Sequence, residues 1–290
     1  MADGINDQID YWNGEVGRRW ARNQRALDAV FAPLTRALVE RADLRTGARV
    51  LDVGCGAGET ALIAANRIGP RGRIVACDVS GPLLDVARGR VEREAAGGAA
   101  IDWTEADAAT HAFGAAAFEH ILSRFGVMFF PDSEAAFAHL RYALVPGGRM
   151  TFLCWRSLDE NPWVSVPRAT VLPLVPDHAS PPADGPGPFR FADRATIERI
   201  LAAAGYRDVA CEPVDRPLTL ARSADGATAA AVEAAARFVL QLGPVSRLVR
   251  DADPRLERQA FAAVRETLLV HAEMGAVTLG AACWLVSAAR

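Results

Sequence analysis

The sequence predicts an α/β protein: a mostly parallel sheet with helices on both faces, preceded by a helical cap and interrupted by helical insertions. Three observations carry this. Short apolar runs of strand character alternate with helix-period segments between residues 48 and 155. The first run leads directly into a glycine-rich turn, Gly54-Cys55-Gly56-Ala57-Gly58, and then into a helix. A helical pattern fills the first 45 residues, before any strand.

Each element follows from its own pattern. Ala26, Val30, Leu34 and Leu38 recur at four-residue steps, so residues 1–45 read as the cap. "ARVLDVG" (48–54) reads as a buried strand, and "ETALIAANRIG" (59–69) as a helix closed by Gly69. "GRIVACD" (72–78) is a second strand; residues 81–95 form a second helix with Pro82 in its first turn. "IDWTEAD" (101–107) and "FEHILSRFG" (118–126) are the third and fourth strands. An Asp132-Ser133 cap opens a helix over 132–148 that stops at Pro146-Gly147, and "RMTFLCW" (149–155) is the fifth strand. Residues 156–192 are too rich in proline and glycine for one continuous element and read as a short helix and a lid loop. Asp193 caps a helix that Gly205 ends, and "RDVACEPVD" (207–215) is a sixth strand. A helical insertion spans 222–278, and "AACWLVSAA" (281–289) is the last strand. The whole, 1–290, reads as a single domain whose core is 46–155.

Composition removes several classes of function. With 51% hydrophobic and 23% charged residues, the chain has ample material for a core. No stretch approaches the ~18 apolar residues of a membrane span, and the acidic, polar "MADGINDQIDYWNGE" is unlike a secretory signal. The five cysteines (Cys55, Cys77, Cys154, Cys211 and Cys283) are widely spaced in apolar runs, as expected in a reducing, cytoplasmic setting. No spacing suggests a metal site. All 32 basic residues are arginine. The missing lysine excludes a Walker lysine, a pyridoxal Schiff base and a lysine nucleophile. A net charge of −3 and the absence of an aromatic-basic stripe argue against nucleic acid.

The glycine turn places bare N–H groups at a helix start, outside the carboxyl edge of the sheet. A dinucleotide fingerprint, GxGxxG, needs glycine at position 59, which is Glu59. Asp52, two residues before the turn, opposes a pyrophosphate. An NAD-dependent oxidoreductase is therefore disfavoured.

The stretch "VLDVGCGAGE" resembles motif I of the class I S-adenosylmethionine (SAM)-dependent methyltransferases. That resemblance implies a Rossmann-like sheet of seven strands with a reversed last hairpin, and SAM as cofactor. It implies that Gly54, Gly56 and Gly58 let the backbone approach the methionine part, with Asp52 organising the turn. Asp78, with Val79 beside it, falls where the family has an acid on the ribose hydroxyls. Asp107 and Ala108 fall where the adenine is held, and Ser123 where strand four reaches the amino group. "SRFGVMFFPD" and "RYALVPGGRMTFLCWR" are similar to the branch of the ubiquinone and menaquinone biosynthesis enzymes. The N/D-P-P-Y/F motif of enzymes that methylate amino groups of nucleic acids and proteins is absent: strand four reads "SRFG".

These features imply a small-molecule methyl acceptor. Tyr11, Trp12 and Trp20 on the cap, Trp155 after strand five, and Asn161 and Trp163 in "ENPW" are the expected pocket walls, suited to an apolar or aromatic acceptor. No catalytic residue is assigned. His111, His178 and His271 are the candidate bases, whereas His120 and His139 read as packed. Arg18, Arg22 and Arg25 share a helix face. A SAM-binding partner or regulator without transfer activity is the alternative function, and self-association as a homodimer stays open.

Overall fold

The structure is a computed structural model that describes residues 2–175, 185–250 and 253–290. The cap forms three helices, α1 (Ala2–Asn13), α2 (Glu15–Arg22) and α3 (Gln24–Ala42), interrupted at Gly14 and Asn23. Leu27, Val30, Phe31, Leu34 and Leu38 make the buried stripe of α3. Then β1 (Arg49–Val53), α4 (Glu59–Ile68), β2 (Arg73–Asp78), α5 (Gly81–Arg88), α6 (Val91–Glu94), β3 (Ala100–Glu105) and β4 (Phe118–Arg124) alternate. They continue into α7 (Ser133–Ala143), β5 (Leu144–Trp155), α8 (Pro162–Val171), α9 (Arg194–Ala203) and β6 (Arg207–Arg222). Helices α10 (Thr228–Gln241), α11 (Ser246–Val249) and α12 (Pro254–Leu269) precede β7 (Ala272–Glu273) and β8 (Ala276–Ala289).

The strands lie in the order β3-β2-β1-β4-β5-β8-β6. All neighbours from β3 to β5 are parallel, and β8 is antiparallel to both β5 and β6. The sheet has eight strands rather than seven, because the two-residue β7 pairs with β8. Met274 and Gly275 both have positive φ, 45° and 70°, the geometry of a two-residue hairpin loop. The pattern reading missed it and carried the helical insertion to 278.

Other boundaries moved for local reasons. Helix α7 ends at Ala143, earlier than expected, because Pro146 disfavours helical backbone at Val145 and Gly147 takes φ 78°. The helix expected over 81–95 is broken between Arg88 and Val91. There Arg90, 4% exposed, turns inward to Asp28 and to the Ala57 carbonyl. Strand β6 runs to Arg222 despite Pro213 and Pro217, because it is the sheet's edge strand and one side of it needs no N–H donors. Asp132 and Asp193 cap α7 and α9 as expected, accepting from Ala135 N at 3.0 Å and Thr196 N at 2.9 Å. Among the described residues no helix is long and apolar enough to cross a membrane.

Candidate active site

Strand β1 delivers the glycine turn to the carboxyl edge of the sheet, where Gly54 N and Cys55 N donate to the Cys77 carbonyl of β2 at 2.8 and 3.1 Å. Contact with neighbours forbids a side chain at Gly54 and Gly58 but not at Gly56. A Cβ on Gly54 would lie 2.7 Å from the Gly126 Cα, so the turns after β1 and β4 touch backbone to backbone. A Cβ on Gly56 (φ 53°) would meet nothing nearer than Leu83 Cδ1 at 4.0 Å and would project into open space. Gly58 directly precedes α4, where a Cβ would lie 2.6 Å from the Trp103 ring.

The acids sit around this turn. Asp78 ends β2, and its two oxygens accept from Gly56 N at 2.7 Å and Ser80 N at 2.9 Å. Burial pushes its pKa up while those N–H groups and that of Val79 hold it down. Asp107 follows β3 and accepts from Ala109 N at 2.9 Å. Asp52 lies deeper, 1% exposed between β2 and β4, with no hydrogen-bond partner for either oxygen among the described residues. Burial pushes its pKa up to about 7, with the added push of Asp78 and against the pull of Arg124 and of the Ala61 N–H, which faces it without a close hydrogen bond. Ser123 is fully buried; its Oγ donates to the Val53 carbonyl at 2.8 Å and accepts from Gly126 N at 3.2 Å.

A cavity of about 230 Å³ opens over these groups. Its floor holds Gly54, Gly56, Asp78, Val79, Asp107 and Ala108; Asp52, Gly58 and Ser123, also expected at the cofactor, are not among the residues that line it. Its walls hold Tyr11, Trp12, Trp20, Trp155 and Trp163. Trp12 meets Trp20 edge-on at 5.4 Å and Phe129 at 5.8 Å. Asn161 lies outside the cavity. Its amide is taken up by backbone: Nδ2 donates to the Ser157 and Ala282 carbonyls, and Oδ1 accepts from Ala282 N at 2.9 Å. It fastens α8 to β8, so the expectation that it lines the pocket is corrected.

The cap is tied to the floor at several points. Asn13 Nδ2 donates to the Val79 carbonyl at 2.8 Å, Asn13 Oδ1 accepts from Gly81 N at 3.0 Å, and Ser80 Oγ donates to the Trp12 carbonyl at 2.7 Å. Tyr11 Oη accepts from Arg247 Nε at 3.1 Å and Arg250 Nη2 at 3.0 Å, joining the cap to the insertion.

Several cavity residues escaped the sequence reading. Phe125 adopts φ 65°, a strained value for a bulky residue. It is held by its N–H on the Leu153 carbonyl and by face-to-face stacking on Trp155 at 4.0 Å. Phe31 packs edge-on against Trp163. Arg124 ends β4 and pairs with Glu59, the first residue of α4, while its Nη1 also donates to Thr35 Oγ1 at 2.7 Å. Strand-end position was the available signal for Arg124; nothing in the sequence showed that Glu59 would turn toward it. Among the described residues no histidine lines the cavity, and His178 lies outside the described residues. His111 and His139 bond one another through His139 Nε2 and the His111 carbonyl at 2.7 Å.

Residues 50–148 match the family described as "Methyltransferase domain". The chain is 32% identical over 151 residues to aklanonic acid methyltransferase DauC of Streptomyces sp. (strain C5), an alignment covering 52% of this chain and 63% of that protein. It is 32% identical over 120 residues to nocamycin O-methyltransferase of Saccharothrix syringae, covering 41% and 42%. The chain thus spans less than two thirds of these relatives. A crystal structure of a putative methyltransferase from Bacillus halodurans C-125 shares the fold, with TM-score 0.54 and 16% identity over 88% of this chain and 97% of that one. The family match covers β1 through the start of β5, the same stretch that builds the cavity floor, so this part of the chain is similar to a methyltransferase domain.

Proposed function

We propose that the protein binds SAM over the glycine turn and transfers its methyl group to an oxygen of a small apolar or aromatic acceptor held against the tryptophan wall. The observation that carries this reading is one continuous cavity whose floor is the glycine turn with Asp78 and Asp107, and whose walls are aromatic. The site fits the cofactor. Bare backbone at Gly56 leaves the space that a side chain would fill. The Asp78 carboxylate, pre-set by two N–H groups, retains acceptor capacity for ribose hydroxyls. Ala108 and Asp107 would hold the adenine, and Asp52 behind the turn favours the cationic amino-acid end. When bound, SAM supplies an electrophilic methyl group on a sulfonium.

The chain's own contribution is to align the reactants and exclude water. Trp12, Trp20, Trp155 and Trp163 give the acceptor flat apolar surfaces, while the Asn13 and Tyr11 ties close the cap over it. Oxygen as the attacked atom is supported by the relative whose name is an O-methyltransferase.

Calorimetry with S-adenosylhomocysteine tests the cofactor site. Asp78→Ala is expected to lower affinity about tenfold or more, the loss of a charge-assisted hydrogen bond of roughly 1.5–3 kcal/mol; unchanged affinity would mean that Asp78 serves only the turn. S-adenosylhomocysteine release from SAM across a metabolite library then tests transfer. Once an acceptor is in hand, Trp20→Ala should lower kcat/KM for it by about tenfold while leaving S-adenosylhomocysteine affinity within about twofold. Equal losses in both would move Trp20 to the cofactor.

A further inference from the structure

Resting on the methyltransferase reading, one chemical need is unassigned: an acceptor hydroxyl must lose its proton to attack. No histidine lines the cavity among the described residues, and burial pushes up the thiols of Cys55 and Cys77, keeping them protonated, which leaves Tyr11 and the carboxylates Asp28, Glu59, Asp78 and Asp107. Asp78 and Asp107 belong to the cofactor floor. Asp28 Oδ2 is held by Arg90 at 2.7 Å and by Gln24, and Arg90 does not line the cavity, so Asp28, unlike Glu59 with Arg124, has no cavity-lining arginine partner to hold an oxyanion. Tyr11 Oη is taken by two arginines. Glu59 remains.

We infer that Glu59 and Arg124 form a proton-accepting and oxyanion-holding dyad, and that the acceptor's attacking atom is an ionisable oxygen such as a phenol, enol or carboxyl. The geometry has three parts. Both residues line the cavity, one from the start of α4 and one from the end of β4. Glu59 Oε2 accepts from Arg124 and from Thr35 Oγ1 at 3.1 Å, whereas Oε1 has no partner among the described residues and is not sealed off. Arg124 uses Nη1 for those contacts; Nε and Nη2 have no partner among the described residues and are not sealed off either. The pair therefore presents one open acceptor and two open donors side by side, with Phe31 under the guanidinium at 5.9 Å.

The proton balance is simple. The acceptor's O–H bond breaks with its electron pair left on oxygen, the proton passes to Glu59 Oε1, and the oxyanion is held by Arg124 Nε and Nη2. The proton later returns to solvent. Burial raises the Glu59 pKa against the opposing pull of Arg124, with Asp28 of α3 adding to the rise, so Glu59 is a stronger base than an exposed carboxylate. Buried Asp52 also faces Arg124.

The test uses 4-nitrophenol, whose phenolate is coloured and whose phenol is not, titrated into the protein saturated with S-adenosylhomocysteine. The parent is expected to bind phenolate about tenfold more tightly than phenol, seen as a pKa of the bound probe about one unit below that of the free probe. Arg124→Met should abolish that shift and Arg124→Lys should keep part of it. Above the probe's own pKa, phenolate affinity of the parent should fall with rising pH, because binding needs a proton on Glu59; Glu59→Gln should remove that fall. If Arg124→Met unfolds, the double variant Glu59→Gln/Arg124→Met, which removes both charges of the ion pair, replaces it.

No phenolate preference in the parent, or one that survives loss of Arg124, overturns the inference. A second arm separates the cofactor's own carboxylate as the source of the anion. If Arg124→Met weakens S-adenosylhomocysteine but not 5′-methylthioadenosine, which lacks the amino-acid part, Arg124 serves the cofactor and the inference falls. Failure of the parent to bind S-adenosylhomocysteine would instead overturn the methyltransferase reading itself.

Discussion

Gly56→Val is expected to abolish measurable S-adenosylhomocysteine binding while the protein still folds. Gly56 has φ 53°, where a β-branched residue is strained by roughly 1–2 kcal/mol. That strain alone leaves a protein of this size folded. The added methyl groups, however, would fill the space above the turn, since a Cβ there meets only Leu83 Cδ1, at 4.0 Å. Affinity should fall by at least about a hundredfold, or ~2.7 kcal/mol. Gly56→Ala, with less volume and the same backbone demand, should lose less, so the two variants separate strain from exclusion. Calorimetry reads binding and thermal unfolding reads the fold. Valine binding as tightly as glycine would move the cofactor away from this turn.

The second large effect is on stability and carries a definite sign. The Asp52 carboxyl, with a pKa near 3.8 when unfolded, rises to about 7 in the folded protein because burial outweighs the opposing pull of Arg124 and of the Ala61 N–H. Between those values the folded state keeps a proton that the unfolded chain releases. Asp52 therefore makes the protein less stable as the pH rises through that window, by up to roughly 4 kcal/mol. Asp52→Asn removes this dependence. Without ligand, the variant should match the parent at about pH 4 and exceed it by a few kcal/mol at about pH 8 in urea unfolding. A stability difference that does not change with pH would show that Asp52 is ionised throughout. In the proposed complex the cationic amino-acid end favours ionised Asp52, so S-adenosylhomocysteine should displace a proton below about pH 7, and Asp52→Asn should lose that release.

Much of the floor was legible because its positions are dictated by the chain's own periodicity. A strand that ends in a glycine turn must present that turn at the carboxyl edge of a parallel sheet, and Asp78 and Asp107 follow at the next two strand ends. The aromatic wall was legible in part: tryptophans in segments outside the sheet have few places to bury their faces other than above it. Asn161 failed on the same logic, because an asparagine beside such a wall is equally suited to tie down backbone, and here it does.

The sequence by itself determined the order of strands and helices apart from β7, the glycine turn and the helix caps at Asp132 and Asp193, all of which rest on local patterns and short spacings, while the class of cofactor came from the resemblance of "VLDVGCGAGE" to motif I. Only the tertiary structure decided that Arg124 meets Glu59 across 65 residues, that Arg90 turns inward to the Ala57 carbonyl, and that Phe125 is held in a strained conformation by Trp155. It also decided that β6 continues through two prolines. These outcomes depend on which surfaces are brought together and which edge lacks a neighbour. A charged or aromatic side chain has many partners open to it along the chain, and only packing around one sheet selects among them.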